Sequence, residues 1–204
     1  MFKNFNIKFK PDAESIGWNN NSLEHSGIKS IYEQLPKSYF EFLTQTARSS
    51  YSGGLIRFLL PQTNPSLLIW NAPNGWISDW EKWGRKFVFA YDWLGRQISL
   101  DFTRVENNEP LVTILEPGTG EMLEVPENFE GFLERELIDY SDAALASNFF
   151  NEWKNKEKIP LEFNKCVGYK TPLFLGGQDT LENLEVSDIE VYVSLCGQLY
   201  SGIS

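Results

Sequence analysis

An α+β fold, an antiparallel β meander from about residue 55 to 125 flanked by N-terminal and C-terminal helices, is predicted by three features of the sequence. Ile98, Leu100 and Phe102 alternate with Gln97, Ser99 and Asp101, the two-residue period of a strand. Trp93-Leu94-Gly95-Arg96 and Pro117-Gly118-Thr119-Gly120 each interrupt a pair of strand-length runs, and hairpins in series build a meander rather than a parallel sheet. On either side of that stretch apolar residues recur at intervals of three and four, the spacing of one helix face.

At the N-terminus, MFKNFNIKFKPD reads as a first strand or arm, and Lys and Asn break up every apolar stretch in it, unlike a signal peptide. Residues 12–27, rich in Asn, Ser and Gly, promise little regular structure. Leu35 to Ala47 reads as a helix with Pro36 in its first turn and Tyr39, Phe42 and Leu43 on its inner face. Ser52-Gly53-Gly54 ends that unit, and the apolar run after it has a strand's length. Residues 61–86 hold Pro61, Pro65, Pro73, Asn74-Gly75 and four tryptophans (Trp70, Trp76, Trp80, Trp83), a turn-rich connection pinned by aromatics.

Phe87–Asp92 and Gln97–Thr103 form the first hairpin, with one face buried and one wet. Leu111–Glu116 and Glu121–Val125 form the second. A helix over Glu127–Ile138 carries Phe129, Phe132, Leu133 and Leu137. Ser141 caps another, in which Leu145, Phe149 and Trp153 stack at i, i+4 and Lys154 to Lys158 suit the C-terminal dipole. The last helix opens with the capping box Ser187-x-x-Glu190, and Ile189, Tyr192, Val193, Cys196 and Leu199 form its inner stripe. A shift in charge near residue 105 divides the chain into an N-terminal lobe, 1–104, and an acidic lobe, 105–204, joined as one compact unit.

Catalytic and metal chemistry find few residues to work with. His25 is the single histidine, which removes most nucleophile triads and paired-His metal sites. Cys166 and Cys196 stand far apart with no second ligand nearby and read as buried, reduced thiols, which fits a cytoplasmic protein. Gly118-Thr119-Gly120 lacks the lysine of a phosphate loop and reads as a turn. No cofactor or metal is expected. Asp92 and Asp101 flank the first hairpin and offer one enzymatic alternative, a two-carboxylate hydrolase. Their structural reading is a turn-capping Asp92 and a solvent-facing Asp101. Gly176-Gly177-Gln178-Asp179 reads as a sharp turn, with Asp179 and Glu182 placed to cap the next element.

Charge is more informative. Residues 1–104 carry twelve Lys/Arg against nine Asp/Glu, whereas residues 105–204 carry six against nineteen. A surface that acidic repels nucleic acid and anionic membranes and attracts a basic protein. It also serves as an ordinary solubilising face. Nine acidic residues and one basic residue lie from Glu116 to Asp142, and a second acidic block runs from Asp179 to Glu190. A partner is therefore expected on Glu124, Glu127, Glu130 and Glu134, or on Asp179, Glu182 and Asp188. Exposed members of the four tryptophans are candidate anchors, and the aromatic content allows a homodimer.

The stretch LPKSYFEFL…YSGGLIRFLLP resembles the GAD-like N-terminal domain of bacterial immunity proteins. FVFAYDWLGRQISLD, LEPGTGEMLEV, NFEGFL and above all CVGYKTPLFLGGQDTLENLEVSDIEVYVSLCGQL resemble the C-terminal immunity domain first named in type VI secretion systems. The Leu-Pro-x-x-Tyr helix and Asp-x-x-Gly-Arg hairpin are also similar to the SUKH superfamily of immunity proteins. The resemblance implies a non-enzymatic cytoplasmic antidote that binds a cognate toxin domain, often a nuclease, and blocks its active site. A general SUKH-like interaction scaffold is the alternative reading.

Overall fold

The computed structural model describes residues 2–17, 34–60, 71 and 85–203. His25, most of the 12–27 stretch, and the 61–86 connection with Trp70, Trp76, Trp80 and Trp83 lie wholly or largely outside the described residues.

Six strands form one antiparallel sheet in sequence order: β1 (Ser50–Tyr51), β2 (Ile56–Phe58), β3 (Lys86–Asp92), β4 (Gln97–Glu106), β5 (Glu109–Glu116) and β6 (Glu121–Asn128). This is the predicted meander. Helix α1 (Lys3–Lys8) and helix α2 (Lys37–Gln45) precede it. After β6 the chain turns helical as Phe129–Gly131, a π-helical stretch Phe132–Glu136, and Leu137–Asp139. Helices α3 (Ser141–Leu145) and α4 (Ser147–Glu157) come next, then strand β7 (Lys165–Tyr169), strand β8 (Leu184–Asp188) and helix α5 (Ile189–Ser201). Strands β7 and β8 pair antiparallel as a separate two-stranded sheet.

The N-terminus is a helix, not the strand or arm expected. Phe2, Phe5 and Phe9 are all buried, at spacings of three and four that place them on one helical side. Phe5 stacks on Phe9 and meets Phe42, Tyr51 and Phe58 edge-on, while Phe2 meets Phe42 and Phe129. These T-shaped ring pairs add to the area they bury. The amides at the start of α1 find an acceptor far along the chain: Glu134 accepts from Asn4 N (3.2 Å) and Phe5 N (3.0 Å). Lys8 closes the other end by donating to Ile138 O (2.6 Å) and Ser141 Oγ (3.0 Å).

Helix α2 buries Tyr39, Phe42 and Leu43 as expected, but Pro36 is its N-cap rather than a first-turn residue. The wet face expected for β4 is absent over its first half. Ile98 and Leu100 are buried, and so are Gln97, Ser99 and Asp101. Most of their polar groups are met inside the protein: Gln97 Nε2 donates to Gly95 O, Ser99 Oγ to Thr113 O, and Lys86 Nζ lies 3.0 Å from Asp101 Oδ2, whereas the buried Gln97 Oε1 finds no partner among the described residues. Polar residues in strand alternation therefore mark hydrogen-bond partners here, not solvent.

Three further local expectations shift. Glu127 belongs to β6, so helical structure starts at Phe129, capped by the Asn128 side chain. The single helix expected from Ser141 is two, broken at Ala146, which adopts φ 48. The cap of α5 is Asp188, which accepts from the Glu190 and Val191 amides, rather than Ser187. Cys166 and Cys196 are free and buried, as predicted. Burial pushes the Cys196 thiol up to about 12 and that of Cys166 well above its ordinary value. Both are inert as nucleophiles near neutral pH.

The β3–β4 turn joins the sheet to everything after β6. Trp93 is fully buried among Phe149, Phe150 and Trp153, and its indole donates to Leu145 O at 2.9 Å. Its carbonyl accepts from Val167 N at 2.6 Å, tying β7 to the same turn. Gly95 has φ 80, and a Cβ there would lie 3.1 Å from Cys166, Ile189 and Tyr192. Glycine suits both that conformation and that approach. Replacing Trp93 with Phe removes the donor to Leu145 and leaves a void, so we expect a loss of about 2–4 kcal/mol in urea unfolding. A loss under about 1 kcal/mol would show that the turn does not hold the C-terminal elements.

Candidate partner-binding surface

Asp92 and Asp101 serve the fold rather than a shared cleft. Asp92 Oδ1 accepts from the Leu94 and Arg96 amides, and its Oδ2 is 2.6 Å from both Nε and Nη2 of Arg96. Asp92 is thus the turn cap foreseen. Asp101, expected in solvent, is buried against Lys86 and accepts from Thr103 N and Oγ1 and Thr113 Oγ1. Burial acts to raise its carboxyl, but Thr103 and Lys86 outweigh it and hold the group below the ordinary range. Across the hairpin Lys86 faces Asp101 whereas Tyr91 faces Gln97. Asp92 lies one residue past Tyr91, opposite Arg96, so the two carboxylates stand at opposite ends, roughly 17 Å apart along the strand. That arrangement removes the two-carboxylate hydrolase.

Arg96 gathers a second buried carboxylate. Its Nε lies 3.5 Å from Glu116 Oε2, and its Nη2 donates to Ala144 O at 3.0 Å. Burial raises the Asp92 carboxyl and works to lower Arg96, but the two carboxylates beside the guanidinium hold it above its ordinary value. Burial pushes Glu116 up to about 7, a shift that Arg96 opposes and Asp92 reinforces. Above this network lies a cavity of about 390 Å³ lined in part by Arg96, Glu116, Asp142, Glu152 and Asp179. Asp142 accepts from Asn148 N and Asp179 from the Tyr169 hydroxyl, so both have structural partners.

The residues expected to meet a partner fall into two classes. Glu124 and Glu182 are largely exposed, at 69% and 77%, and make surface pairs with Arg104 and Lys156. Such pairs contribute under about 1 kcal/mol and leave the carboxylates open to a partner. Glu130 is half-buried near Arg135. The others serve the fold: Glu127 pairs with Arg135, Glu134 caps α1, Asp179 holds Tyr169, and Asp188 caps α5 while lying 3.6 Å from Lys165. Asp179 does not cap the turn after it; Thr180 occupies that position. Glu185 is exposed beside Asp188 and extends the acidic edge. Among the described residues no group of three His, Cys, Asp or Glu side chains could hold a metal ion. No helix among them is long and apolar enough to cross a membrane.

A surface feature missed in the sequence lies on α5. Leu199, expected on the inner stripe, is 36% exposed, and Val191 and Leu195 are 63% and 52% exposed. The signal was present: Glu190 is the last charged residue of the chain, so α5 is apolar on more than its core face.

Residues 126–200 match the family model described as T6SS immunity protein Tdi1, C-terminal. That range begins near the end of β6 and takes in every helix and strand that packs on the β3–β4 turn from the C-terminal side. The resemblance to type VI secretion immunity proteins therefore has independent support, which also favours a protein that is not an enzyme. The Leu-Pro helix and the first hairpin lie outside the matched range. Among solved structures, the crystal structure of Atu4351 from Agrobacterium tumefaciens has a similar fold. The TM-score is 0.65 at 16% identity, covering 97% of this chain and 89% of that chain. No curated protein matches the sequence.

Burial moves Glu116 from its ordinary value of 4.5, the value it regains on unfolding, to about 7 in the folded protein. The fold favours its protonated form, so its contribution to stability is full below about pH 4.5 and is lost as pH rises through 7. Glu116→Gln removes this titration. Between pH 5 and pH 8 the wild type should lose up to about 3 kcal/mol relative to the variant, measured by denaturant unfolding. Parallel stability curves would contradict the assignment.

Proposed function

We propose that this chain is a non-enzymatic immunity protein that acts in the cytoplasm, binding and neutralising a cognate toxin domain. We assign that toxin to the nucleases. The observation that carries the reading is the match over residues 126–200 to a type VI secretion immunity family. The charge of residues 105–204 supports the finer part, since nucleases bind phosphate and present basic surfaces to which clustered carboxylates are complementary. The 1–104 portion is the GAD-like lobe of this reading and the 105–204 portion its immunity-type lobe. Strand β4 crosses between them, so the two share one sheet.

Partner contact is assigned to the acidic tracts, with the exposed Glu124, Glu182 and Glu185 and the half-buried Glu130 steering a basic surface. Glu127, Glu134, Asp179 and Asp188 add to the same field from positions fixed by their structural bonds. Charge of this kind mainly raises the rate of encounter.

The test uses a candidate toxin domain, sought first among the products of the genes beside this one and carrying a catalytic-site substitution. Reversal of Glu124, Glu130, Glu182 and Glu185 to Lys should slow association roughly tenfold at low salt and by less at high salt. Melting temperature should change little, because no helix cap is touched. Association as fast as wild type at all salt concentrations would reduce the acidic tracts to solubilising surface. Absence of any binding by the wild type would overturn the immunity reading.

A further inference from the structure

Helix α5 is apolar on two sides. Ile189, Tyr192, Val193 and Cys196 are buried against the β3–β4 turn and β7. On the outside, Val191, Leu195 and Leu199 recur at i, i+4 and i+8, and Ile203, just past the helix end, is 57% exposed. At 1.5 Å per residue the helical part of the stripe, Val191 to Leu199, runs about 12 Å. Val186, on the strand that leads into the helix, is 43% exposed as well. A surface helix of a monomer normally carries charge at such positions. This one carries none after Glu190.

The charges around the stripe indicate what covers it. Glu185 is exposed, and Asp188 and Glu190 are half-buried at its N-terminal end. Lys165, paired with Asp188, offsets one of them. A second copy of this chain would offer those acids little complementary charge from this segment, since no Lys or Arg follows Lys170. A protein whose apolar patch is edged by Lys and Arg would satisfy both components. An apolar centre with a charged rim is also the anatomy of tight protein interfaces, in which the centre sets the dissociation rate.

We propose that the outer stripe of α5, Val191, Leu195, Leu199 and Ile203, is the apolar anchor on which the basic toxin seats, with Glu185 and Glu190 at its rim. This rests on the immunity reading above and adds the contact that holds the partner once charge has brought it in. It also lies almost entirely within the segment matched by the immunity family model. Because α5 packs on the β3–β4 turn through its opposite side, the stripe is held rigid and presented without rearrangement.

The experiment compares wild type with Val191→Ser/Leu195→Ser/Leu199→Ser, and with Leu195→Ser alone, against the same catalytically inactivated candidate toxin domain. The triple variant should bind at least tenfold more weakly through faster dissociation, and the single variant about threefold more weakly. Thermal melting of the Leu195→Ser variant should stay close to wild type, because that side chain is 52% exposed, and the triple variant, which also substitutes the largely covered Leu199, should remain folded at the assay temperature. If the wild type binds and both variants bind equally tightly, the anchor is elsewhere and the immunity reading survives. A wild type that is dimeric, with a monomeric triple variant that binds the toxin normally, would make the stripe a face between copies and overturn the proposal. A wild type that does not bind removes the stripe proposal and the immunity reading together.

Discussion

The buried clamp between Asp92 and Arg96 is the constraint from which the rest of the molecule is arranged. One carboxylate holds two backbone amides and a guanidinium, so the β3–β4 turn has one conformation. The same guanidinium then reaches Glu116 at the β5–β6 turn and Ala144 O in α3, coupling two hairpins and the helical half. Trp93 and Gly95 within that turn receive α4, β7 and α5. Leaving Asp92 buried without Arg96 would cost several kcal/mol, the usual penalty for an orphaned interior charge. The outer face of α5 is accordingly positioned by residues about 100 positions earlier in the chain.

Much of this architecture was legible because it is periodic. The hairpins announced themselves through alternation and turn residues, and α2, α4 and α5 through apolar spacing. The misses share a physical cause: the deciding partner lies far away in sequence. Helix α1 is short and has no local cap, and Glu134, 130 positions from Asn4, supplies it. Asp101 looked wet because its neighbour Lys86 could be paired with it only once the strand register was known. Ala146 breaks a helix that local propensity would have continued.

The candidate surface was half legible for a related reason. Composition reveals where carboxylates concentrate, and the excess over residues 105–204 is plain in the sequence. It does not reveal which of them are committed to capping. Glu134 and Asp188 are helix caps, Asp179 anchors a tyrosine, and Glu124 and Glu182 remain largely exposed. The apolar outer stripe went unread because a charge-free helix usually signals burial on all sides. Distinguishing a second buried face from an exposed one required the packing. In the proposed reading, steering falls mainly to the exposed carboxylates and anchoring to the outer stripe of α5.

Neutralisation itself is tested most directly in cells. A toxin domain that this chain binds, in its active form, should arrest growth when expressed alone in the cytoplasm. Coexpression of this chain should restore growth, whereas the Trp93→Ala variant, which removes the side chain on which the C-terminal elements dock, should restore it less well. Growth arrest that persists with wild-type chain present as soluble, folded protein would contradict the account.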